Sequence, residues 1–351
     1  MVQSRITRQV SVGGVRIGGT DLPVIQSMTN TDTKDHQATL EQIERLKDAG
    51  CEIIRVAVPC IESLKAFGII CENSPLPVVA DVHFDYRLAI EATKLGAAKL
   101  RINPGNIGSL DRVEAVIVAA KEASIPIRIG VNAGSLAKNC QDPSVPLATR
   151  LVSSALEFCS FFEAHEFFDI VISAKASSVR TTIDAYRSLA QKTDYPLHIG
   201  VTESGTEFGG SIKSAVGLGT LLEAGIGDTL RVSLTADPVK EVEAAWEILA
   251  ALDIKRNHPE LISCPTCGRC QVDMIPLAQE VERRLKNEAP NLKIAVMGCV
   301  VNGPGEAREA DFGIACGKSD GIIFSHGEPL RKVAEDRLVD ALFEEIRARA
   351  H

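Results

Sequence analysis

The sequence predicts an α/β protein: a closed (β/α)8 barrel of the TIM type followed by a small α+β domain. Three observations lead there. From about Pro23 to Asp253, short apolar runs alternate with amphipathic helical stretches. There are eight such runs, more than an open doubly wound sheet usually holds, and no GxGxxG opens a helix after the first of them. A weak repeat recurs along the chain: Gly50 precedes Ile54-Arg55-Val56, Gly96 precedes Leu100-Arg101-Ile102, and Gly225 precedes Leu230-Arg231-Val232. Each copy is a helix stop, a short loop and a strand bearing one arginine.

In chain order the strands are expected at Val24–Met28, Ile53–Val58, Val78–His83, Leu100–Asn103, Ile127–Asn132, Ile170–Lys175, His198–Glu203 and Leu230–Leu234. Helices are expected between them, among others at Gln37–Ala49, Arg87–Leu95, Leu110–Ala123, Thr149–Glu166 and Ser178–Lys192. This assigns residues 1–254 to the barrel, 255–262 to a polar linker containing Pro259, and 263–351 to the second domain. There a cysteine-rich turn precedes a helix (Pro276–Asn287), a strand (Lys293–Met297), a Gly/Pro loop, two short strands (Phe312–Ala315, Gly321–Phe324) and a last helix near Lys332–Ala348.

Composition narrows the function. Hydrophobic residues make up 45% of the 351, ample for a core, whereas aromatics make up only 4%, too few for base-stacking surfaces. A net charge of −8 argues against nucleic acid or anionic membranes as partners. Met1–Thr7 is short and polar, with no leader-like apolar run, and nothing later is long enough to span a bilayer. A cytoplasmic enzyme is expected, its ten cysteines free, ligating or catalytic rather than disulfide-bonded.

Strand side chains alternate between faces. In the second strand Arg55 opposes Ile54 and Val56; in the third, Asp81 and His83 oppose Ala80 and Val82. Arg101 and Asn103, then Arg128, Gly130 and Asn132, then Ser173 and Lys175, and finally Arg231 and Ser233 likewise oppose apolar neighbours. The apolar faces must meet the helices, so the polar set points into the barrel, whose mouth is where such folds keep their active sites. Five inward cations (Arg55, Arg101, Arg128, Lys175, Arg231) repel one another, and an unpaired buried charge costs several kcal/mol. Asp81 and Glu203 offset only part of this, and a dianion with phosphate oxygens is the natural partner. One such arginine would be as readily explained by a structural ion pair; five on five strands with the same parity are not. The glycine-bearing loops Asn103–Asn106 and Asn132–Ser135 are placed to bring backbone N–H groups to phosphates. Glu203 and His83 are the candidate proton carriers.

Cys264-Pro265-Thr266-Cys267 is a CxxC that Cys270 extends, and Cys299 lies in Gly298-Cys299-Val300-Val301-Asn302-Gly303-Pro304-Gly305-Glu306. A zinc ribbon needs a second CxxC, which is absent. Three clustered cysteines and one distant one suit an iron–sulfur cluster, and spacing alone would choose all four. Cys51, Cys60, Cys71, Cys140 and Cys159 show no ligand spacing.

CPTCGR followed by GCVVNGPGE resembles the 4-hydroxy-3-methylbut-2-enyl diphosphate synthase family of non-mevalonate isoprenoid biosynthesis, in its bacterial two-domain form. VIQSMTNTDT, RINPGN, IRIGVNAGSL, GVTESG and LRVSLTADP resemble the same family, so the likeness runs nearly end to end. It implies a [4Fe–4S] cluster held by Cys264, Cys267, Cys299 and Glu306, with Cys270 a bystander. A carboxylate is a harder, weaker iron ligand than a thiolate and is free to leave, opening one iron as a Lewis acid. The resemblance further implies reductive opening of 2-C-methyl-D-erythritol 2,4-cyclodiphosphate with loss of water. Electrons come from ferredoxin or flavodoxin, and the assembly is a homodimer. In that reading Arg55, Arg101, Arg128, Lys175 and Arg231 clamp the diphosphate, with Asn132, Ser233 and Asp81 assisting, and Glu203, then His83, donates a proton. Two other classes compete: a redox-silent barrel enzyme for a phosphorylated or pterin-like substrate with a structural metal module, and a non-catalytic cluster carrier.

Overall fold

The computed structural model describes residues 5–270, 272–288, 292–299 and 307–349, with backbone alone at 286–288. The chain divides into two compact units, Met1–Lys255 and Arg256–His351.

The first unit opens with a hairpin, β1 (Gln9–Val12) and β2 (Val15–Gly18), which the sequence reading missed. Gly13 and Gly14 both have positive φ, as a two-residue hairpin turn requires. Its Val12 and Ile17 pack against Val24, Ile53 and Val79 at the N-terminal ends of barrel strands, closing the floor. The barrel strands are β3 (Val24–Met28), β4 (Ile53–Ala57), β5 (Val78–Asp81), β6 (Lys99–Ile102), β7 (Ile127–Asn132), β8 (Ile170–Lys175), β9 (His198–Ile199) and β10 (Thr229–Leu230). All neighbours pair in parallel, in the order β8-β7-β6-β5-β4-β3-β10-β9. A bridge between Ile172 and Leu197 joins the two ends, with Ile172 N donating to Pro196 O at 2.9 Å. The outward faces carry Ile54, Val56, Ala80, Leu100, Ile129 and Ile172, which form one apolar core with the surrounding helices.

The last two strands are shorter than expected. Beyond Ile199 and Leu230 the chain stops making a regular ladder, for two local reasons. Glu203 adopts φ +52°, incompatible with strand, and Leu234 N donates to the Glu241 carboxylate (3.0 Å) instead of a neighbouring strand.

The second unit is a five-stranded sheet, β11 (Glu260–Ser263), β12 (Lys293–Met297), β13 (Phe312–Cys316), β14 (Asp320–Ser325) and β15 (Glu328–Ala334), with helices Met274–Glu288 and Leu338–Arg349. β11 runs through the end of the segment read as a linker, because it pairs in parallel with β12. β15 occupies residues read as the start of the last helix; it completes a hairpin with β14. Val281, Leu285, Ile294, Ile314, Ile323, Leu338, Leu342 and Phe343 form the core between sheet and helices.

Candidate active site

Strand parity places the cations as the alternation requires. Arg101, Arg128 and Lys175 are buried, and Arg55 and Arg231 keep only 11% and 16% of their side chains exposed. Glycine makes room for two of them. A Cβ on Gly130 would stand 2.9 Å from Arg101 Nε, and one on Gly200 would stand 2.5 Å from Lys175 Nζ. Both cations therefore cross the interior over bare backbone.

Two carboxylates organise this set. Asp81 accepts from Arg101 Nη1 at 3.0 Å, faces Arg55 Nε at 3.6 Å and contacts His83 Nε2 at 3.2 Å. Burial opposes its ionisation, but Arg55, His83 and Arg101 outweigh burial and hold its carboxyl far below the ordinary aspartate range. Arg101 Nη1 also reaches His83 Nε2 at 2.9 Å, so His83 belongs to this cluster while its ring stays exposed at the mouth.

The second carboxylate is Glu241, not Glu203. Glu241, on the helix Pro238–Ala251, accepts from Arg231 Nε at 3.1 Å and Nη2 at 3.2 Å and from Leu234 N at 3.0 Å. The signal for it was in the sequence: it occupies a core-facing position of its helix, among Pro238, Val242 and Ala245. Glu203 is exposed four residues beyond the seventh barrel strand, and its positive φ is a strained state for a side chain other than glycine, a feature that clusters at functional sites. Met28, also missed, lends an uncharged acceptor: its sulfur takes Arg55 Nη2 at 2.7 Å and Nε at 3.1 Å.

The pKa shifts register the surplus of positive charge. Burial first, then Arg128, Arg55, Arg231 and Arg101, pushes the Lys175 ammonium well below its ordinary value. Burial first, then Arg55 and Arg101, lowers Arg128, with Asp81 opposing. An incoming anion offsets the repulsion among these cations and favours their charged forms.

Asn132 and Ser233 are half-buried near the mouth. The glycine loops pack on each other: Asn103 Nδ2 donates to Ser135 Oγ, and a Cβ on Gly105 would meet Ser135 O at 2.7 Å. Two of their amides are already engaged, since Gly105 N donates to the Asn103 side chain (3.1 Å) and Ser135 N to Asn132 O (3.1 Å). The loops therefore shape the rim more than they offer free N–H donors.

In the second unit, β11 and β12 lie side by side and in parallel, so their C-terminal ends coincide. Cys264 directly follows β11, Cys299 follows β12 after the single residue Gly298, and Gly298 N donates to Cys264 Sγ at 3.1 Å. A turn carries the chain on through exposed Cys267 to Cys270, whose N–H donates to Cys267 O at 2.9 Å. A Cβ on Gly298 would stand 2.6 Å from Cys270 Sγ, which places Cys270 against the same strand ends. Below them the buried Cys316 thiol is pushed up to about 12, by burial first, then by Cys270, Glu335, Cys264 and Cys299. None of the ten cysteines is disulfide-bonded. Glu306 lies outside the described residues.

Among the described residues no three His, Cys, Asp or Glu side chains are gathered as for a single metal ion. A four-iron cubane asks for something different, one ligand at each iron, and soft sulfur donors in preference to oxygen. Cys264, Cys270 and Cys299 lie at one end of a parallel strand pair, with Cys267 on the turn between the first two, and thiols so placed fit that demand.

Comparison with known proteins covers both units. Residues 7–246 match the family model described as GcpE TIM-barrel domain, and residues 260–348 match that of the GcpE protein C-terminal domain. A protein of Clostridium acetobutylicum named 4-hydroxy-3-methylbut-2-en-1-yl diphosphate synthase (flavodoxin) is 55% identical over 97% of this chain and 98% of its own length. Its namesake from Geobacter sulfurreducens is 56% identical over 97% of each chain, and that from Brevibacillus brevis 52% identical over 99% and 96%. Among solved structures, Yersinia pestis dihydropteroate synthase superposes with TM-score 0.52 at 13% identity, over 70% of this chain and 98% of its own. Dihydropteroate synthase from Xanthomonas albilineans gives 0.51, also at 13%, over 70% and 97%. At that identity the likeness is one of barrel fold.

Proposed function

The chain belongs to the GcpE family, and from that premise we propose that it is a flavodoxin-dependent 4-hydroxy-3-methylbut-2-enyl diphosphate synthase. It opens 2-C-methyl-D-erythritol 2,4-cyclodiphosphate reductively, with loss of water, to (E)-4-hydroxy-3-methylbut-2-enyl diphosphate. The supporting observation is the pairing, in one chain, of a barrel interior with surplus positive charge and a cysteine set at the end of two parallel strands.

Arg55, Arg101, Arg128, Lys175 and Arg231 bind the diphosphate oxygens, and the bound anion compensates the charge that burial makes costly. Asp81 fixes the forks of Arg101 and Arg55, and Glu241 fixes that of Arg231, so the clamp is set before substrate arrives. Asn132 and Ser233 add neutral donors at the rim. Cys264, Cys267 and Cys299, with Glu306, hold a [4Fe–4S] cluster. That group supplies two electrons, one at a time, and a Lewis-acidic iron. Glu203, held strained at the mouth, hands a proton to the departing oxygen, with His83 the alternate donor. Cysteines without disulfides suit a reducing cytoplasm, and a homodimer would let one chain's cluster unit serve the other's barrel. No helix among the described residues is long and apolar enough to cross a membrane.

The test is purification under nitrogen with iron and sulfide analysis, then turnover with reduced flavodoxin. Four irons per chain and formation of the linear diphosphate are expected. Colourless, iron-free protein that still turns over would overturn the proposal.

A further inference from the structure

Below the diphosphate clamp the barrel holds further buried donors, of which the proposed reaction uses only Arg128. Lys99, one residue before the expected start of its strand, pairs in register with Val79, whose side chain meets the hairpin that closes the floor. Lys99 is fully buried, and its Nζ has no hydrogen-bond partner. Arg128 Nε, His198 Nε2 and Gln26 Nε2 are orphaned in the same way. Gln26 Oε1 faces Arg128 Nη1 at 3.4 Å, and Thr229 Oγ1 lies 3.4 Å from His198 Nδ1; with that hydroxyl donating, the ring carries its hydrogen on Nε2. The charged groups acting on Lys99 are Arg128 and Arg55, both cations.

Charge counting makes the demand sharper. Six buried or nearly buried cations, Arg55, Lys99, Arg101, Arg128, Lys175 and Arg231, face two buried carboxylates, Asp81 and Glu241. A cyclic diphosphate has one acidic oxygen on each phosphorus and offsets two of the four surplus charges. Water satisfies donors but leaves the charge, and uncompensated charge in an interior is costly. We infer that the barrel floor binds a small monovalent anion of the halide class between Lys99, Arg128 and His198, beneath and separate from the diphosphate position. Lys99 supplies the charge, Arg128 Nε and neutral His198 Nε2–H supply directed donors, and the anion in turn holds Arg128 in place under the substrate.

The test needs neither cluster nor turnover, so it stands or falls apart from the proposed reaction. Crystals of the full chain are soaked in bromide with the mouth occupied by inorganic pyrophosphate, and bromide is located by anomalous scattering. A peak against Lys99 Nζ and Arg128 Nε is expected, unaffected by pyrophosphate and absent in Lys99→Met, which still binds pyrophosphate. A peak that pyrophosphate displaces, or water density alone at Lys99, would overturn the inference. In solution, with pyrophosphate saturating, the unfolding midpoint of the wild type should rise by about 3 °C when gluconate is exchanged for chloride at constant ionic strength. Equal midpoints in the two salts would count against the site, and this arm holds even where Lys99→Met fails to fold.

Discussion

The two halves of the candidate site are built in opposite ways. In the barrel every clamp side chain except Arg231 sits on a strand held by ladder hydrogen bonds, and Arg231 is fixed by Glu241. In the second unit the cysteines sit just beyond strand ends, on turns, and three of the four near the strand ends are only half-buried. The barrel thus carries its geometry before any ligand arrives, and its energetic problem is charge. The cysteine set has donors of the right chemistry, and its final geometry is set by what it binds. Removing a group from one half should therefore leave the other intact.

The largest effect is expected at the cysteines. Cys267→Ser should abolish iron binding and turnover while leaving pyrophosphate binding to the barrel within about twofold, because one ligand lost from a cluster is not replaced by neighbouring side chains. Iron analysis and calorimetry check this; a variant that keeps a full cluster and activity would remove Cys267 from the ligand set. Next is Arg128→Met, which should weaken cyclic diphosphate binding by about 100-fold, the worth of a buried charge-assisted contact, at unchanged iron content. An unaltered Kd would take Arg128 out of the clamp.

These two sites were legible in the sequence to different degrees, for physical reasons. Period-two alternation is a strong signal in parallel strands with one wholly apolar face, so Arg55, Asp81, Arg101, Arg128 and Lys175 could be placed inside the barrel from parity alone. Parity fails where a strand's start is off by one residue, which hid Lys99. It also says nothing of helices, which hid Glu241 and led to Glu203 being given its pairing role. The Gly13-Gly14 hairpin was overlooked because it precedes the repeating pattern and joins none of its strands. Cysteine spacing pointed to a cluster but could not separate Cys270 from the ligands; in the structure Cys270 also lies against the strand ends.

Smaller changes probe how the barrel stores its charge. Glu241→Gln leaves Arg231 without its counter-charge and should destabilise the barrel by about 3 kcal/mol, read by denaturant unfolding; no change would mean that Met28 and solvent suffice for Arg231. Lys175 gives a pH signature. Its folded value lies well below the unfolded 10.5, so between the two the unfolded chain binds more protons, and stability rises with pH across that window. For substrate-free protein the slope from Lys175 approaches about 1.4 kcal/mol per pH unit at most. It should shrink in Lys175→Met and under saturating pyrophosphate; identical slopes would show that Lys175 is not a buried uncompensated cation. The smallest effect is Gly130→Ala, whose Cβ displaces Arg101 and should cost about 10-fold in diphosphate affinity with little loss of stability.

In the proposed reaction an anion clamped in the barrel acts together with iron held by the cysteines. The most direct measurement is the electron paramagnetic resonance spectrum of the reduced protein, with and without the cyclic diphosphate. Substrate should alter the cluster's signal in the wild type, and Arg128→Met should keep the signal of the reduced cluster but lose its response to substrate. A signal indifferent to substrate in an enzyme that turns over would contradict it.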